Sequence, residues 1–281
     1  MKSHSLRLAG LVAILLAVAA LAVGCGGSGG TDTSASSGSS DLTTIEPGVL
    51  TIGSDIPYKP FEFGQPPYEG FDVDVANAVA EKLGLTTKFV KTPFDTIFRD
   101  VAQGKFDMVV SAATITPERA KQVAFSDPYF AADQALTVSE GSDIQSVDDL
   151  KGKTIGAQLG TTGEDYANKS TDAAEVRTYD LVDDALQALA AGQIEAAIID
   201  FPVAADAQDS GEGVLVAQTI PTDEYYGMAF SPDTPELTAA VNKALQEIKD
   251  DGTYSDIYNQ WFKQDPPDEI LKPGGEQNAQ K

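Results

Sequence analysis

Histidine and cysteine are almost absent from this sequence of 281 residues, since each occurs once, as His4 and Cys25. A folded portion beyond residue 25 has neither side chain, which excludes a Ser-His-Asp or Cys-His nucleophile and a zinc site built from histidine or cysteine. Basic residues are also few, 19 Lys and Arg against 43 Asp and Glu, and the formal net charge is -24. So acidic a chain is not expected to bind nucleic acid. We expect no metal and no cofactor.

The first 24 residues are typical of a targeting segment. Lys2 and Arg7 supply positive charge, and an apolar run follows from Leu8 to Val23. The run ends at Leu21-Ala22-Val23-Gly24-Cys25, which resembles the lipoprotein processing motif except that alanine stands where leucine is usual. A retained transmembrane helix is the alternative, although the run is short for a bilayer. We therefore predict a signal peptide at 1–24 and, at 25–44, a lipidated Cys25 followed by a flexible Gly/Ser linker.

Beyond residue 45 the pattern alternates between strands and helices, which favours an α/β fold with mainly parallel sheets. The order occurs twice: Thr51-Ile52-Gly53-Ser54-Asp55 matches Thr154-Ile155-Gly156-Ala157-Gln158, and residues 95–110 match residues 183–198. We therefore expect two related lobes. The predicted strands are 49–54, 86–91, 106–110, 153–158, 176–179, 195–200 and 226–230, and the predicted helices are 71–83, 95–103, 161–168, 182–191, 234–249 and 253–262.

Arg119 stands just after the predicted buried strand 106–110, in the first turn of a short helix that Thr116 would cap. The carboxyl end of a strand in an α/β sheet is where ligands bind. A guanidinium there can hold a carboxylate through two parallel hydrogen bonds, and threonine hydroxyls and helix N–H groups could add donors. The alternative is a surface arginine paired with Glu118 or Asp127.

Six segments in a fixed order resemble the family-3 solute-binding proteins of ABC importers, in the polar amino-acid group that includes the glutamine-, histidine- and lysine/arginine/ornithine-binding proteins. The resemblance covers Val49 to Phe262. The segments are Pro60-Phe61-Glu62-Phe63, Gly70-Phe71-Asp72-Val73-Asp74, Thr114 to Arg119, Phe125-Ser126-Asp127-Pro128-Tyr129, Leu159-Gly160-Thr161-Thr162-Gly163 and Asn242 to Trp261.

The resemblance implies a two-lobed periplasmic-binding-protein fold of type II. Two hinge crossovers would lie near residues 129–133 and 222–226, and the ligand would lie in the cleft between the lobes. Lobe 1 would comprise residues 45–130 and the return segment 224–263, and lobe 2 would comprise residues 131–223. Residues 264–281 are polar and rich in proline and glycine, so we expect a disordered tail.

The resemblance also assigns the ends of a bound amino acid. Arg119 would hold the α-carboxylate, helped by the backbone amides of Thr114 and Thr162. Asp200 would hold the α-ammonium together with the backbone carbonyl of Ala112, and Ser111 would line the same site. For Asp200 the alternative is a helix cap before Phe201-Pro202, because aspartate is a favoured cap.

Four further residues would surround the ligand's side chain. Tyr58 and Phe94 match positions where the family places aromatic walls, although aromatic side chains are also common in cores. Asp55 and Gln158 end the two matched strands and should face each other across the cleft. Asp55 matches an aspartate that contacts the ligand side chain in relatives, and the alternative is that it caps a turn. Gln158 is neutral where the glutamine binder has a lysine, which favours arginine, lysine or ornithine, with cation–π contacts adding to the binding.

We thus expect a monomeric amino-acid receptor, anchored outside the cytoplasm by lipid on Cys25, that delivers its ligand to an ABC permease and its ATPase. It would not be an enzyme, and Asp72 and Asp74 would begin a helix, where acids suit the helix dipole, instead of forming a catalytic pair. The alternatives are a binder of glutamine, another neutral polar amino acid or cystine, a dehydratase-like enzyme on the same fold, and a ligand-sensing module.

Overall fold

The computed structural model of the protein describes residues 42–272, and the predicted signal peptide and Cys25 lie outside them. The first lobe contains β1 (Val49–Ser54), α1 (Phe71–Leu83), β2 (Thr86–Lys91), α2 (Phe94–Ala102), β3 (Met108–Val109) and β4 (Ala124–Phe125). The second contains β5 (Phe130–Ser139), β6 (Thr154–Gln158), α3 (Thr162–Ser170), β7 (Glu175–Tyr179), α4 (Val182–Ala190), β8 (Ala196–Asp200), α5 (Phe201–Asp209) and β9 (Val214–Tyr226). The chain returns to the first lobe with β10 (Ala229–Phe230) and continues through α6 (Pro235–Asp250), α7 (Thr253–Phe262) and α8 (Asp268–Leu271).

Each lobe is built on one five-stranded sheet, with the orders β2-β1-β3-β10-β4 and β7-β6-β8-β5-β9. The strands β1, β2 and β3 run parallel, as do β6, β7 and β8, while β10, β4, β5 and β9 pair antiparallel. Where the chain crosses between lobes, β5 pairs with β9, so that Phe130 lies opposite Tyr226 and Ala132 opposite Glu224. The prediction of a two-lobed α/β fold is confirmed.

The internal repeat seen in the sequence corresponds to the same packing in both lobes. A side chain on Gly53 in β1 would lie 2.6 Å from the ring of Phe106, and one on Gly156 in β6 would lie 2.5 Å from Ile194. An acid follows each of these apolar side chains. The carboxylate of Asp107 accepts the backbone N–H of Thr51, and that of Glu195 accepts the backbone N–H of Thr154. Glycine is thus required at both strands because an apolar side chain from the matched segment fills the space.

Helix α1 connects the core of the first lobe with the C-terminal helices. Its buried face carries Phe71, Val75 and Val79, spaced as one stripe of a helix, and it ends where Gly84 adopts a left-handed φ of 71°. The helices α6 and α7 pack against this stripe, and the ring of Phe71 lies 5.2 Å from that of Phe262. Full burial of such a side chain contributes about 1.5–3 kcal/mol, so the return segment is held on the first lobe by its apolar face.

Several elements differ from the prediction. The strands β5 and β9 were not predicted, although the crossovers 129–133 and 222–226 overlap them. Pro221 has no N–H to donate to a sheet, and two shifts of register interrupt the alternation of side chains that would indicate a strand. The strand predicted at 106–110 is reduced to β3, and α5 was not predicted. Residues 264–272, assigned to a disordered tail, include α8, whose Ile270 is buried. Within the described residues no helix is both long and apolar enough to cross a membrane.

Candidate functional site

The candidate site lies between the two sheets, at the carboxyl ends of their parallel strands. All ten predicted side chains line one cavity: Asp55, Tyr58, Phe94, Ser111, Ala112, Thr114, Arg119, Gln158, Thr162 and Asp200. Thr161, which was not predicted, lines it as well. The cavity has a volume of about 280 Å³, part of it open to solvent. Two hydrogen bonds join the lobes here, from Arg119 to Gly160 and from Gln158 to Asp55, so the lobes meet at this site.

Asp55 and Gln158 face each other across the cleft, and the amide Nε2 of Gln158 donates to Asp55 Oδ2 at 2.5 Å. Burial raises the pKa of the Asp55 carboxyl to about 7, although the bond from Gln158 opposes the shift. The second oxygen of Asp55 is buried and has no hydrogen-bond partner among the described residues. The carboxylate therefore does not cap a turn, and one of its oxygens remains available for a hydrogen-bond donor.

Asp200 lies at the end of β8, and three side chains donate to its carboxylate. These donors are the hydroxyl of Tyr58 at 2.7 Å, the hydroxyl of Tyr226 at 2.6 Å and Nε2 of Gln134 at 2.5 Å. Asp200 precedes α5, but its side chain makes no capping hydrogen bond. Burial raises the pKa of Asp200 to about 6, and the charge of Glu224 acts in the same direction. The carboxylate lines the cleft and is buried, and no lysine or arginine of the described residues forms a salt bridge with it.

Arg119 spans the cleft from a short 3-10 helix whose first N–H is capped by the hydroxyl of Thr116. Its guanidinium donates to the carbonyl of Thr114 at 2.7 Å and, in the other lobe, to the carbonyl of Gly160 at 3.1 Å. It lies over the rings of Phe98 and Phe94, at 4.6 Å and 5.2 Å from their centres. Burial lowers the pKa of Arg119 to about 10, so the side chain stays charged. The remaining N–H donors of the fork can serve an anion.

The loop after β3 is held from behind by two buried carboxyls. The hydroxyl of Ser111 donates to Glu62 at 2.6 Å and accepts the backbone N–H of Asp55. Ala112 adopts an unusual positive φ of 43°, and its N–H donates to Asp72 at 2.7 Å. Burial raises the pKa of Asp72 to about 6, and burial together with the charge of Asp72 raises the pKa of Glu62 well above its ordinary value. Asp72 therefore does more than begin α1, because it positions the floor of the cavity.

The threonine hydroxyls that we expected to add donors for a carboxylate already have an acceptor within the protein. The hydroxyls of Thr114 and Thr162 both donate to the carboxylate of Glu224, at 2.6 Å and 2.7 Å. Sequence reasoning missed Glu224, Gln134 and Tyr226. Position was the one signal for Glu224 and Tyr226, which lie in the predicted crossover 222–226, and Gln134 directly follows the predicted crossover 129–133. The cavity is lined by the carboxyls of Asp55 and Asp200 and by one guanidinium, and the carboxyl of Glu224 lies behind Thr114 and Thr162, so the excess of carboxyls suits a ligand of net positive charge.

The described residues contain no group of three or more histidine, cysteine or acidic side chains arranged to hold a metal ion. The residues that line the cavity supply hydrogen-bond donors, hydrogen-bond acceptors and aromatic faces. The site presents the guanidinium of Arg119 in the first lobe and the buried carboxylate of Asp200 in the second, and Asp55 supplies another carboxylate. Such an arrangement can bind a small molecule that carries an anionic group and one or two cationic groups.

Comparison with known proteins places the chain in a family. The family described as "Bacterial extracellular solute-binding proteins, family 3" matches residues 50–264. The lysine/arginine/ornithine-binding periplasmic protein of Escherichia coli (strain K12) is 34% identical over 232 residues, which cover 77% of this chain and 88% of that protein.

Solved structures agree with this result. That of an ancestral arginine-binding protein bound to arginine is 41% identical, has a TM-score of 0.72 and covers 76% of this chain and 98% of that one. Another, described as the ancestral amino acid-binding protein AncCDT-1, a precursor of cyclohexadienyl dehydratase, is also 41% identical with a TM-score of 0.72, and covers 76% and 96% of the two chains.

Proposed function

Since the chain belongs to the bacterial extracellular solute-binding proteins of family 3, we propose that it captures a polar, basic L-amino acid outside the cytoplasm and delivers it to the permease of an ABC importer. The observation that carries this proposal is the position of two groups. Arg119 in the first lobe and Asp200 in the second line the same cavity, so one zwitterion can satisfy both only when the lobes lie together. Closure then signals to the permease that the site is loaded.

The two ends of an α-amino acid have separate partners in this proposal. The guanidinium of Arg119 holds the α-carboxylate, with the backbone amides of Thr114 and Thr162 as further donors. Asp200 holds the α-ammonium, together with the carbonyl of Ala112. The hydrogen bonds that Asp200 already accepts fix its orientation, so little rotational freedom is lost when the ligand binds.

Asp55 decides the nature of the ligand's side chain. Its unpartnered oxygen and the aromatic faces of Tyr58 and Phe94 suit a guanidinium or an ammonium. Gln158 neutralises none of the negative charge, since its amide only donates a hydrogen bond. The excess of carboxyls therefore favours arginine, lysine or ornithine over glutamine, another neutral polar amino acid or cystine, which remain outcomes of the test.

We further propose that cleavage before Cys25 and a lipid on its sulfur tether the protein to the outer face of the cell membrane. The support is the sequence pattern around Cys25, followed by a Gly/Ser-rich linker of suitable length. The intact mass of the mature protein tests this, since a lipidated Cys25 adds the mass of its acyl groups. A mature mass that includes residues 1–24 would contradict it.

A thermal-shift screen tests the ligand. The mature protein is melted with each of the twenty amino acids, ornithine, citrulline and cystine, because a ligand that binds only the native state raises the melting temperature. We expect the largest shift from arginine, lysine or ornithine. A larger shift from glutamine would still support an amino-acid receptor, but it would refute the proposal that the ligand is basic. Formation of a product from prephenate or arogenate would instead support the dehydratase alternative.

Arg119→Ala provides the matched test of the site. We expect affinity for every amino acid in calorimetry to fall at least about 100-fold, because the half-buried guanidinium that holds the α-carboxylate in this proposal is removed. Arg177→Ala is the control, since Arg177 is an exposed arginine that pairs with Glu175 at the edge of the second lobe. Unchanged affinity in Arg119→Ala would remove the basis of the proposal.

A further inference from the structure

Glu224 lies at the end of β9, on the second crossover, and touches both lobes. Its Oε2 accepts the hydroxyl of Thr114 from the first lobe at 2.6 Å and that of Thr162 from the second at 2.7 Å. Its Oε1 accepts Nε2 of Gln134 at 3.1 Å. The half-buried carboxylate forms part of the wall of a groove on the hinge side of the protein. It therefore acts on the cleft through the two threonines that line it.

The direction of these hydrogen bonds determines what the two threonines present to the cleft. An ionised carboxylate only accepts hydrogen bonds, and each hydroxyl has one proton. With both protons pointing to Glu224, each hydroxyl turns its lone pairs toward other partners. Thr162 already shows this arrangement, since its Oγ1 accepts Nε2 of Gln134 at 3.3 Å. At this wall the threonine hydroxyls are thus hydrogen-bond acceptors.

The same amide connects Glu224 with Asp200. Nε2 of Gln134 donates to Asp200 Oδ1 at 2.5 Å as well as to Glu224. The wall therefore consists of the Asp200 carboxylate and the hydroxyls of Thr114 and Thr162, which act as acceptors. The carboxylate of Glu224 lies behind these two hydroxyls. The side chains of this wall are complementary to a group that carries several N–H donors and a positive charge.

We infer that Glu224 is a positioning residue that makes this wall select the α-ammonium of the ligand, by taking the protons of Thr114 and Thr162. This inference rests on the proposed function and assigns a role within the same site to a residue that does not line the cavity. A ligand that lacks the ammonium but keeps the carboxylate and the side chain gains nothing from the arrangement.

Glu224→Gln tests the inference with little change of shape. The NH₂ group of the amide must itself find acceptors, and in the place of Oε1 it would meet another donor, Nε2 of Gln134. It therefore takes the place of Oε2, so the hydroxyls of Thr114 and Thr162 accept from it and point their protons into the cleft. Asp223→Asn is the control, because Asp223 is the neighbouring exposed acid and its loss changes the net charge equally without touching either threonine.

The affinity of each purified mature variant is measured by calorimetry for L-arginine and by displacement for 5-guanidinopentanoate, which is arginine without its α-ammonium. We expect the preference for arginine to fall at least tenfold in Glu224→Gln, almost entirely through weaker arginine binding, and to stay unchanged in Asp223→Asn. Equal losses for both compounds in Glu224→Gln would show a merely structural role and would overturn the inference.

A double variant provides a second, independent test that remains informative even if one substitution lowers stability. Thr114→Val removes the hydroxyl through which Glu224 acts, so Glu224→Gln combined with Thr114→Val should weaken arginine binding less than the product of the two separate losses. Losses that simply multiply would overturn the inference.

If the wild-type protein binds glutamine and not arginine, the pair of compounds compared becomes L-glutamine and glutaramate. If wild type binds no amino acid, the proposed function itself fails, and the inference with it.

Discussion

We predict from the raised pKa of Asp55 that the affinity for a basic amino acid depends on pH near neutrality. Burial raises the pKa of Asp55 to about 7. The nearby charge of Lys91 lowers this pKa, and those of Asp95 and Asp180 raise it. A cationic side chain needs the ionised carboxylate, and it stabilises that form when it binds. Binding therefore releases a proton, and affinity rises with pH until the pH passes the pKa of the unliganded protein.

The size of the effect follows from the fraction of Asp55 that is ionised before binding. With a pKa of about 7, roughly one tenth of the carboxyls are ionised at pH 6 and roughly nine tenths at pH 8, so affinity should rise about tenfold over this range. At pH 7 about half a proton should be released for each ligand bound. Asp200, with a pKa of about 6, adds about a factor of two at the acidic end.

The assay is calorimetry with L-arginine at pH 6, 7 and 8, repeated at pH 7 in two buffers of different ionisation enthalpy to count the protons released. Asp55→Asn should weaken arginine binding by about 10- to 150-fold at pH 8, since a charge-assisted hydrogen bond contributes about 1.5–3 kcal/mol. The variant should keep only the small change that Asp200 causes. Glutamine, which carries no charge on its side chain, should lose far less.

Three results would each refute a part of this reasoning. An affinity of the wild-type protein for arginine that is constant between pH 6 and 8 would show that Asp55 is already ionised or does not contact the ligand. The same pH dependence in Asp55→Asn would assign the titration to another group. Equal losses for arginine and glutamine would refute the assignment of a basic ligand while leaving Arg119 and Asp200 in their roles.

Two further predictions concern stability. The buried carboxyl of Glu62 has a raised pKa, so it keeps its proton in the folded chain and loses it on unfolding. The free energy of unfolding therefore falls by about 1.4 kcal/mol per pH unit above about pH 4.3, and Glu62→Gln should flatten this fall. Urea unfolding at pH 5 and pH 8 measures this, and an unchanged slope would contradict it. Gly53→Ala should destabilise by about 1–3 kcal/mol, because the new methyl group would lie 2.6 Å from the ring of Phe106. Adding Phe106→Leu should restore part of the loss, and no recovery in the double variant would contradict the clash.

Elements with a strong local pattern were predicted from the sequence with accurate bounds. The helix Phe71–Leu83 carries an apolar stripe and a glycine stop, and the strands Val49–Ser54 and Thr86–Lys91 agree with the structure residue for residue. The long antiparallel pair β5 and β9 was missed. Its partners lie about 80 residues apart in the chain, and nothing in either segment alone indicates the other.

The site residues were assigned from the resemblance to a family and, for Arg119, Asp55 and Gln158, also from their positions after predicted strands. All ten line one cavity because they follow strands whose carboxyl ends share one edge of each sheet. The partners of these residues could not be predicted. Thr114 and Glu224 are 110 positions apart, as Tyr58 and Asp200 are 142 apart, and their contacts arise only when the two lobes meet. The direction of each hydrogen bond is a property of the assembled site.

The sequence by itself therefore determined the class of fold, the family and the chemical types of the groups at the strand ends, because these depend on local periodicity and on short motifs. Only the tertiary structure decided which oxygen receives which proton, that Glu224 takes both threonine protons, and that Glu62 and Asp72 share a buried site behind the loop of Ser111 and Ala112. The physical reason is that hydrogen bonding and burial depend on distances between segments far apart in the chain, which composition and spacing do not specify.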